Sequence, residues 1–296
     1  MRFLRRSGRI LKRSALAFYD DQMTQHAGAL TYYSLMSLFP ALLLVLSLLG
    51  LLGEYPRTYD AILEYLRPIV PEPALDPIDS SLRQALERKG TAATALGVSI
   101  VIALYGTTGA LESARRALNV VFEVRQGRGF FRRKAIDIGS TVFLMALVII
   151  TLLFMFVGGS LAERVFALLG LGQAAFEVWN VARWPAAVLV AVLIFALVYY
   201  VTPDVRQRKF RIVTPGALIG VTAWILVSAA FGRYVSDFAD VSAVYGAFAG
   251  AIVLVAWLWL SGVALLFGAE IDAEIEREKQ LEEGVPPERT LDMPPA

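Results

Sequence analysis

The hydrophobic positions of this chain do not alternate with polar ones. They run together in six long blocks, and the charges gather in the segments between them. The blocks cover approximately Ala29 to Leu52, Thr91 to Leu111, Ala135 to Ser160, Trp184 to Thr202, Val213 to Gly232 and Ala243 to Gly268. A helix rising about 1.5 Å per residue crosses about 30 Å of hydrocarbon in roughly 20 residues, so each block is long enough to span a bilayer. In lipid the backbone is satisfied only within helices or closed barrels, and runs without a period of two are helices. The expected fold is therefore all-α: a polytopic membrane protein with a six-transmembrane-helix bundle. The first block is too long and starts too late for a secretory leader, and it lacks a small-residue cleavage pattern. It is read as a retained helix.

Composition moves the picture in the same direction. Hydrophobic residues make up 57% of the 296 and charged residues 18%, and the mean hydropathy of +0.59 lies far above that of a soluble domain. Cysteine is absent, which excludes thiol catalysis, disulfides and Cys-ligated metal or iron–sulfur sites. A single histidine excludes a multi-histidine zinc site. No cofactor is expected. The formal charge of +2 carries little meaning, but its distribution does. Of the 28 Lys and Arg, twenty fall in the amino-terminal segment, the loops after the second and fourth blocks, and the tail. The positive-inside rule then puts both termini in the cytoplasm, as six crossings require.

Three regions follow: a cytoplasmic amphipathic basic segment over 1–25, a six-span domain over 26–276 with an external loop at 54–90, and a disordered cytoplasmic tail over 277–296. In the first, Leu4, Leu11, Ala15, Phe18 and Gln22 recur at helical spacing while arginines take other faces, so the helix is expected to lie on anionic lipid. Six basic residues directly before a span serve topology first, and nucleic-acid binding is not expected. The external loop holds Pro56, Pro68, Pro71, Pro73 and Pro77, which divide it into two short amphipathic helices. They form either an external helical cap over the bundle or a substrate gate. The tail after Glu270 is charged and Pro-rich, without the apolar content of a second domain.

Candidate chemistry is sparse. No block carries an ionisable residue near its middle. Asp137, Glu163, Asp204 and Glu270 sit at block ends, where headgroups or water are within reach, which argues against ion coupling through an intramembrane carboxylate. Hydroxyl and glycine positions remain. In the first block Thr31, Ser34 and Ser37 precede Pro40, a kink whose freed carbonyls nearby hydroxyls can satisfy, with either a packing face or a cavity lining as the result. Gly216 with Gly220, and Gly246 with Gly250, are small-residue pairs that permit close helix approach and weakly support a homo-oligomer. Two basic clusters, Arg132, Arg133 and Lys134 before the third block and Arg206, Arg208 and Lys209 after the fourth, are candidates for holding a phosphate headgroup. His26 stands at the edge of the first block beside Asp20, Asp21 and Gln25, without the partners of a general base.

Four segments together resemble the YihY/BrkB family of bacterial inner-membrane proteins. They are AGALTYYSLMSLFPALLLVLSLLG, LYGTTGALESARRALNVVFEV with RGFFRRK, YYVTPDVRQRKFRIVTPGALIGVTAWILVSAAFGRYVS, and VYGAFAGAIVLVAWLWLSGVALLFGAEIDAE. The likeness holds in order from about residue 15 to residue 276. It implies six helices with both ends inside, in the bacterial inner membrane, and Pro40, Asn119, Pro203, Tyr245, Gly246 and Glu270 match the family pattern. The family's closing motif usually reads GAELNAE, and here Asp272 stands where that motif has its asparagine. Members have carried the label ribonuclease BN. The clustered His and Asp ligands of metal-dependent RNA cleavage are missing from this sequence, so no enzyme is expected.

Three functions are weighed on this basis. One is the transport or handling of an amphipathic substrate such as a phospholipid, since a charge-free interior with basic rims suits an anionic headgroup. Another is a membrane scaffold recruiting an envelope protein partner. A membrane-bound hydrolase comes last, because no nucleophile and base pair is visible.

Overall fold

The structure, a computed structural model, describes residues 2–52, 83, 108–124, 129–156, 173–205, 213–237, 247–286 and 291. Seven helices make up the described regular structure: α1 (Arg2–Asp20), α2 (Met23–Leu52), α3 (residues 108–121), α4 (Phe130–Phe156), α5 (Gln173–Val201), α6 (Pro215–Asp237) and α7 (Ala247–Glu282). Three of these are long and apolar enough to cross a membrane: Gln173–Val201, Pro215–Val235 and Gly250–Glu282. α2 and α4 occupy the first and third apolar blocks. The loop at 54–90 and most of the second block lie outside the described residues.

The chain packs as two units. One comprises Met1–Gly28, Leu111–Ala229 and Leu260–Ala296, and the other Ala29–Ala110 and Ala230–Trp259. In the second unit Gly109 lies under the Tyr33 ring, where an added Cβ would come within 2.9 Å of Cδ1. The Ser37 hydroxyl donates to the Ser34 carbonyl at 2.7 Å, a hydroxyl back-bond of the kind that helices near a proline use.

The first unit is built around α3. Leu111, Ala114, Ala117, Leu118, Val121 and Phe122 are all buried, and so are Ser113 and Arg115. A helix covered on nearly every side has to be narrow there, and alanine and serine supply that. α4 packs along α5. Outward positions are apolar all along the helices: Ile138, Val142 and Phe143 on α4, Val188 and Leu189 on α5, Leu218 and Leu226 on α6. An oily exterior of this extent belongs in lipid.

α5, α6 and α7 meet through glycine. A Cβ on Gly268 would lie 2.5 Å from the Tyr199 hydroxyl and 2.6 Å from the Gly216 carbonyl oxygen, and one on Gly220 would be 3.1 Å from the Phe195 and Tyr199 side chains. The Tyr199 hydroxyl donates to the Leu265 carbonyl at 2.5 Å across this crossing. The pair Gly216 and Gly220 thus joins neighbouring helices within one unit. Gly250 has nothing within 4 Å of its Cβ position.

Two elements differ from the sequence reading. α7 does not stop where its apolar run does: the helix continues past 277 to Glu282, where Gly284 at φ +84° closes it with Val285 N–H bonded to the Gln280 carbonyl. α1 lies antiparallel to that extension and not simply on a surface. Ser14 is fully buried with its hydroxyl near the Glu270 carbonyl, the Phe18 ring meets Phe267 edge-on at 5.9 Å, and Arg6 reaches Glu278 and Glu282. Arg9 joins Glu278 at 3.5 Å. Leu11 and Ala15, on the apolar stripe that periodicity turns toward lipid, are exposed in the structure. The acidic partners on α7 decide which face of α1 turns inward.

Candidate functional site

A set of charged and polar residues of the first unit converges at one end, and α3 distributes them. Arg115, Asn119 and Glu123 follow each other at four-residue spacing, so they share a face of α3 and its terminus. Each binds a different element. The Arg115 guanidinium makes a two-pronged ion pair with Asp137 of α4, with Nη2 at 2.9 Å from Oδ2, and both residues are buried. The Asn119 amide donates to the Asp204 carboxylate at 3.1 Å and accepts from the Asp204 backbone N–H at 2.8 Å. That grip holds the segment after α5, where Pro203 ends the helix and is itself buried. Glu123 pairs with Arg277 of α7, which also binds Glu274 at 2.6 Å. Glu123 occupies a left-handed position (φ 49°) at the end of α3, with Val124 N–H bonded back to the Asn119 carbonyl.

These placements correct the sequence reading of the carboxylates. Asp137, Asp204 and Glu270 were expected at headgroups or water, but each is at most 4% exposed. The reason is that α3 supplies internal partners for the first two, and the ends of α4 and α5 are drawn around it. Arg115, counted as a topology signal, is a structural cation.

The apolar run of α7 ends at Gly268. Beyond it the helix carries Glu270, Asp272, Glu274, Glu276, Arg277, Glu278, Lys279 and Glu282, too many charges for hydrocarbon, so these groups lie outside the spanning segment. Glu270 and Asp272 show how environment separates two nearby carboxyls. Asp272 caps α6: its Oδ1 accepts from Gly216 N–H at 2.7 Å and it bonds the Thr214 hydroxyl, which in turn accepts from Ala217 N–H at 3.0 Å. Burial raises Asp272 to about 6, and those donors hold it back. Glu270 has no such relief. Its Oε1 lacks a hydrogen-bond partner among the described residues. Burial, reinforced by the carboxylates of Asp21, Glu274 and Glu123 against Arg277, pushes it from its ordinary 4.5 to about 8. Asp21, at the corner between α1 and α2, is also raised, by burial first and then by Glu123.

Of the residues singled out from sequence, Asn119, Pro203, Gly216, Gly220 and Glu270 come together in this unit. Thr31, Ser34, Ser37 and Gly250 belong to the other. Pro40 lies inside α2, which continues through it to Leu52. Tyr245, Gly246, Arg206, Arg208 and Lys209 fall outside the described residues. Arg132, Arg133 and Lys134 stand in the first turns of α4 beside Phe130 and Phe131, which are 62% and 88% exposed, and the Arg133 guanidinium stacks over the Phe130 ring at 5.8 Å. Among the described residues no three His, Asp or Glu side chains form a group able to hold a metal ion. Sequence reasoning missed Arg115 with Asp137, Glu123 with Arg277, and the α1–α7 seam. The last had a signal: Glu270, Glu274, Glu278 and Glu282 repeat every fourth residue, opposite Arg2, Arg6, Arg9 and Arg13 at three and four.

A model of the family described as virulence factor BrkB matches residues 15–291 of this chain. The chain belongs to the BrkB family. Among its BrkB relatives is YfkH of Bacillus subtilis (strain 168), named as a ribonuclease-like protein, 30% identical over 266 residues that make up 88% of this chain and 94% of that one. A UPF0761 membrane protein of Aeromonas salmonicida (strain A449) is 29% identical over 274 residues, 90% of this chain and 89% of its own. A UPF0761 membrane protein of Stenotrophomonas maltophilia (strain R551-3) is 27% identical over 87% of this chain but only 58% of its own length. No solved structure matches the chain. The resemblance read from the four sequence segments is therefore correct at the level of family, and this BrkB protein is a membrane protein with apolar helices.

Proposed function

We propose that this BrkB protein handles an amphipathic anionic substrate, with a phospholipid as the best fit, in a bacterial inner membrane that it crosses six times with both ends in the cytoplasm. The observation that carries the reading is the head of α4. Phe130 and Phe131 are exposed beside Arg132, Arg133 and Lys134, and from Phe131 one outward stripe continues through Ala135, Ile138, Val142 and Ala146 at helical spacing. Basic side chains at a helix head hold a phosphate, and an apolar stripe continuing from them accommodates an acyl chain. Arg115 and Arg277 are held by internal carboxylates, the one by Asp137 and the other by Glu123 and Glu274. The ribonuclease label of YfkH is not carried over, because RNA hydrolysis needs a nucleophile and base, or a metal-held water, and this proposal uses neither.

A scaffold function is the second reading. It draws on the ion-paired extension formed by α1 and α7, a helical platform beyond the last apolar turn. Binding separates the two. The purified protein in nanodiscs of phosphatidylglycerol and, separately, phosphatidylcholine is examined by native mass spectrometry. The lipid reading expects retained anionic lipid that falls about tenfold when Arg132, Arg133 and Lys134 are all changed to Gln. Equal retention of both lipids by both proteins would refute it.

A further inference from the structure

We propose that Glu270 is a proton-binding site whose occupancy fixes the corner between α1 and α2 against α7. The inference starts from geometry. Glu270 is 2% exposed, and its Oε1 faces the protein interior without a hydrogen-bond donor among the described residues. A buried carboxylate oxygen left in that state is costly, whereas the protonated acid removes the charge. Its surroundings favour the neutral form as well. Asp21 faces it from the α1–α2 corner, with Asp20 and His26 behind, Glu123 from the end of α3, and Glu274 from the next turn of α7; among the described residues the cation facing this group is Arg277, and it already serves Glu123 and Glu274.

The same site explains the mechanical consequence. The Glu270 backbone carbonyl lies 3.4 Å from the buried Ser14 hydroxyl of α1, and Gln22 turns the chain at a left-handed φ of 53° between α1 and α2. α1, the corner and the start of α2 are therefore seated on the segment of α7 that carries the titrating group, and Gly262 of α7 admits Ala27 of α2 at 3.3 Å. When Glu270 releases its proton, the new charge repels Asp21 across that seat. The corner loosens, and it closes again when the proton returns. A metal cation is the weaker occupant, since no group of three acidic or histidine ligands is assembled among the described residues. The proposal is independent of which substrate the protein handles.

The test uses the full chain in nanodiscs. Infrared difference spectra across a pH titration report the carbonyl stretch of a protonated carboxylic acid, and hydrogen exchange reports protection of residues 14–28 over the same range. The wild type is expected to show an acid band that persists at about pH 6 and is lost by about pH 9, with protection of 14–28 falling in parallel. Glu270→Gln is expected to lack the band and to keep protection flat with pH. Glu274→Gln, which removes one neighbouring charge, is expected to lower the midpoint. An acid band unchanged in Glu270→Gln would overturn the proposal, and so would a midpoint that does not respond to Glu274→Gln. A midpoint that moves when sodium replaces potassium would also overturn it, by pointing to a metal cation.

Discussion

At the scale of single residues, the charged end of this protein is governed by how many donors each buried group finds. Arg115 and Asp137 satisfy each other, so removing one strands the other. Asp137→Ala is expected to lower stability by about 3–5 kcal/mol, read as a fall in the thermal midpoint in detergent. The double variant Arg115→Met with Asp137→Leu is expected to recover much of it, because apolar replacement of a whole buried pair is often neutral. Glu270 gives a pH dependence whose sign is fixed. Its folded value is above its unfolded one, so its favourable contribution is complete below about 4.5 and is lost as pH rises towards about 8. Thermal midpoints of wild type are expected to decline over that window, and Glu270→Gln is expected to flatten that part of the slope. Glu270 and Asn119 were visible in the sequence as family positions, but nothing in a linear reading reveals that Arg115 reaches a carboxylate 22 positions on. Until α3 and α4 are packed, that arginine looks like one more topology signal.

At the scale of elements, glycine and caps decide where helices approach. Gly268 sits where a Cβ meets the Tyr199 hydroxyl and the Gly216 carbonyl, while Gly139 on α4 has nothing within 4 Å. The same change therefore has opposite results. Gly139→Ala is expected to stabilise by up to about 1 kcal/mol through helix propensity, and Gly268→Ala to destabilise by about 1–3 kcal/mol through overpacking; thermal unfolding of both variants in one detergent checks the pair. Asp272 also belongs here. An asparagine at this position keeps a side-chain oxygen for Gly216 N–H, so Asp272→Asn is expected to be near neutral, whereas Asp272→Ala uncaps α6 at about 0.5–2 kcal/mol. The role of Gly216 with Gly220 was legible as far as close helix approach, because a four-residue repeat of small residues opens one helix face to a neighbour. The continuation of α7 was not, since a charged run following an apolar one reads equally as a solvated tail until α1 is found lying on it.

At the scale of the whole molecule, the apolar blocks, the all-α class and the family were legible because hydropathy and motif order need no tertiary information. The seat of α1 needed charge complementarity between segments more than 250 residues apart. Reversing it is informative: Glu278→Lys is expected to expose residues 2–20 to limited proteolysis, and Arg6→Glu with Arg9→Glu in that background to restore protection. The central claim is that this BrkB protein moves or binds an anionic amphiphile at the basic, aromatic head of α4. It is tested most directly in liposomes carrying fluorescent phosphatidylglycerol in one leaflet, with wild type compared against the variant in which Arg132, Arg133 and Lys134 are glutamine. The account predicts transbilayer movement or saturable binding of the labelled lipid by wild type and its loss in the variant. Wild-type protein that neither binds nor moves the lipid would contradict it.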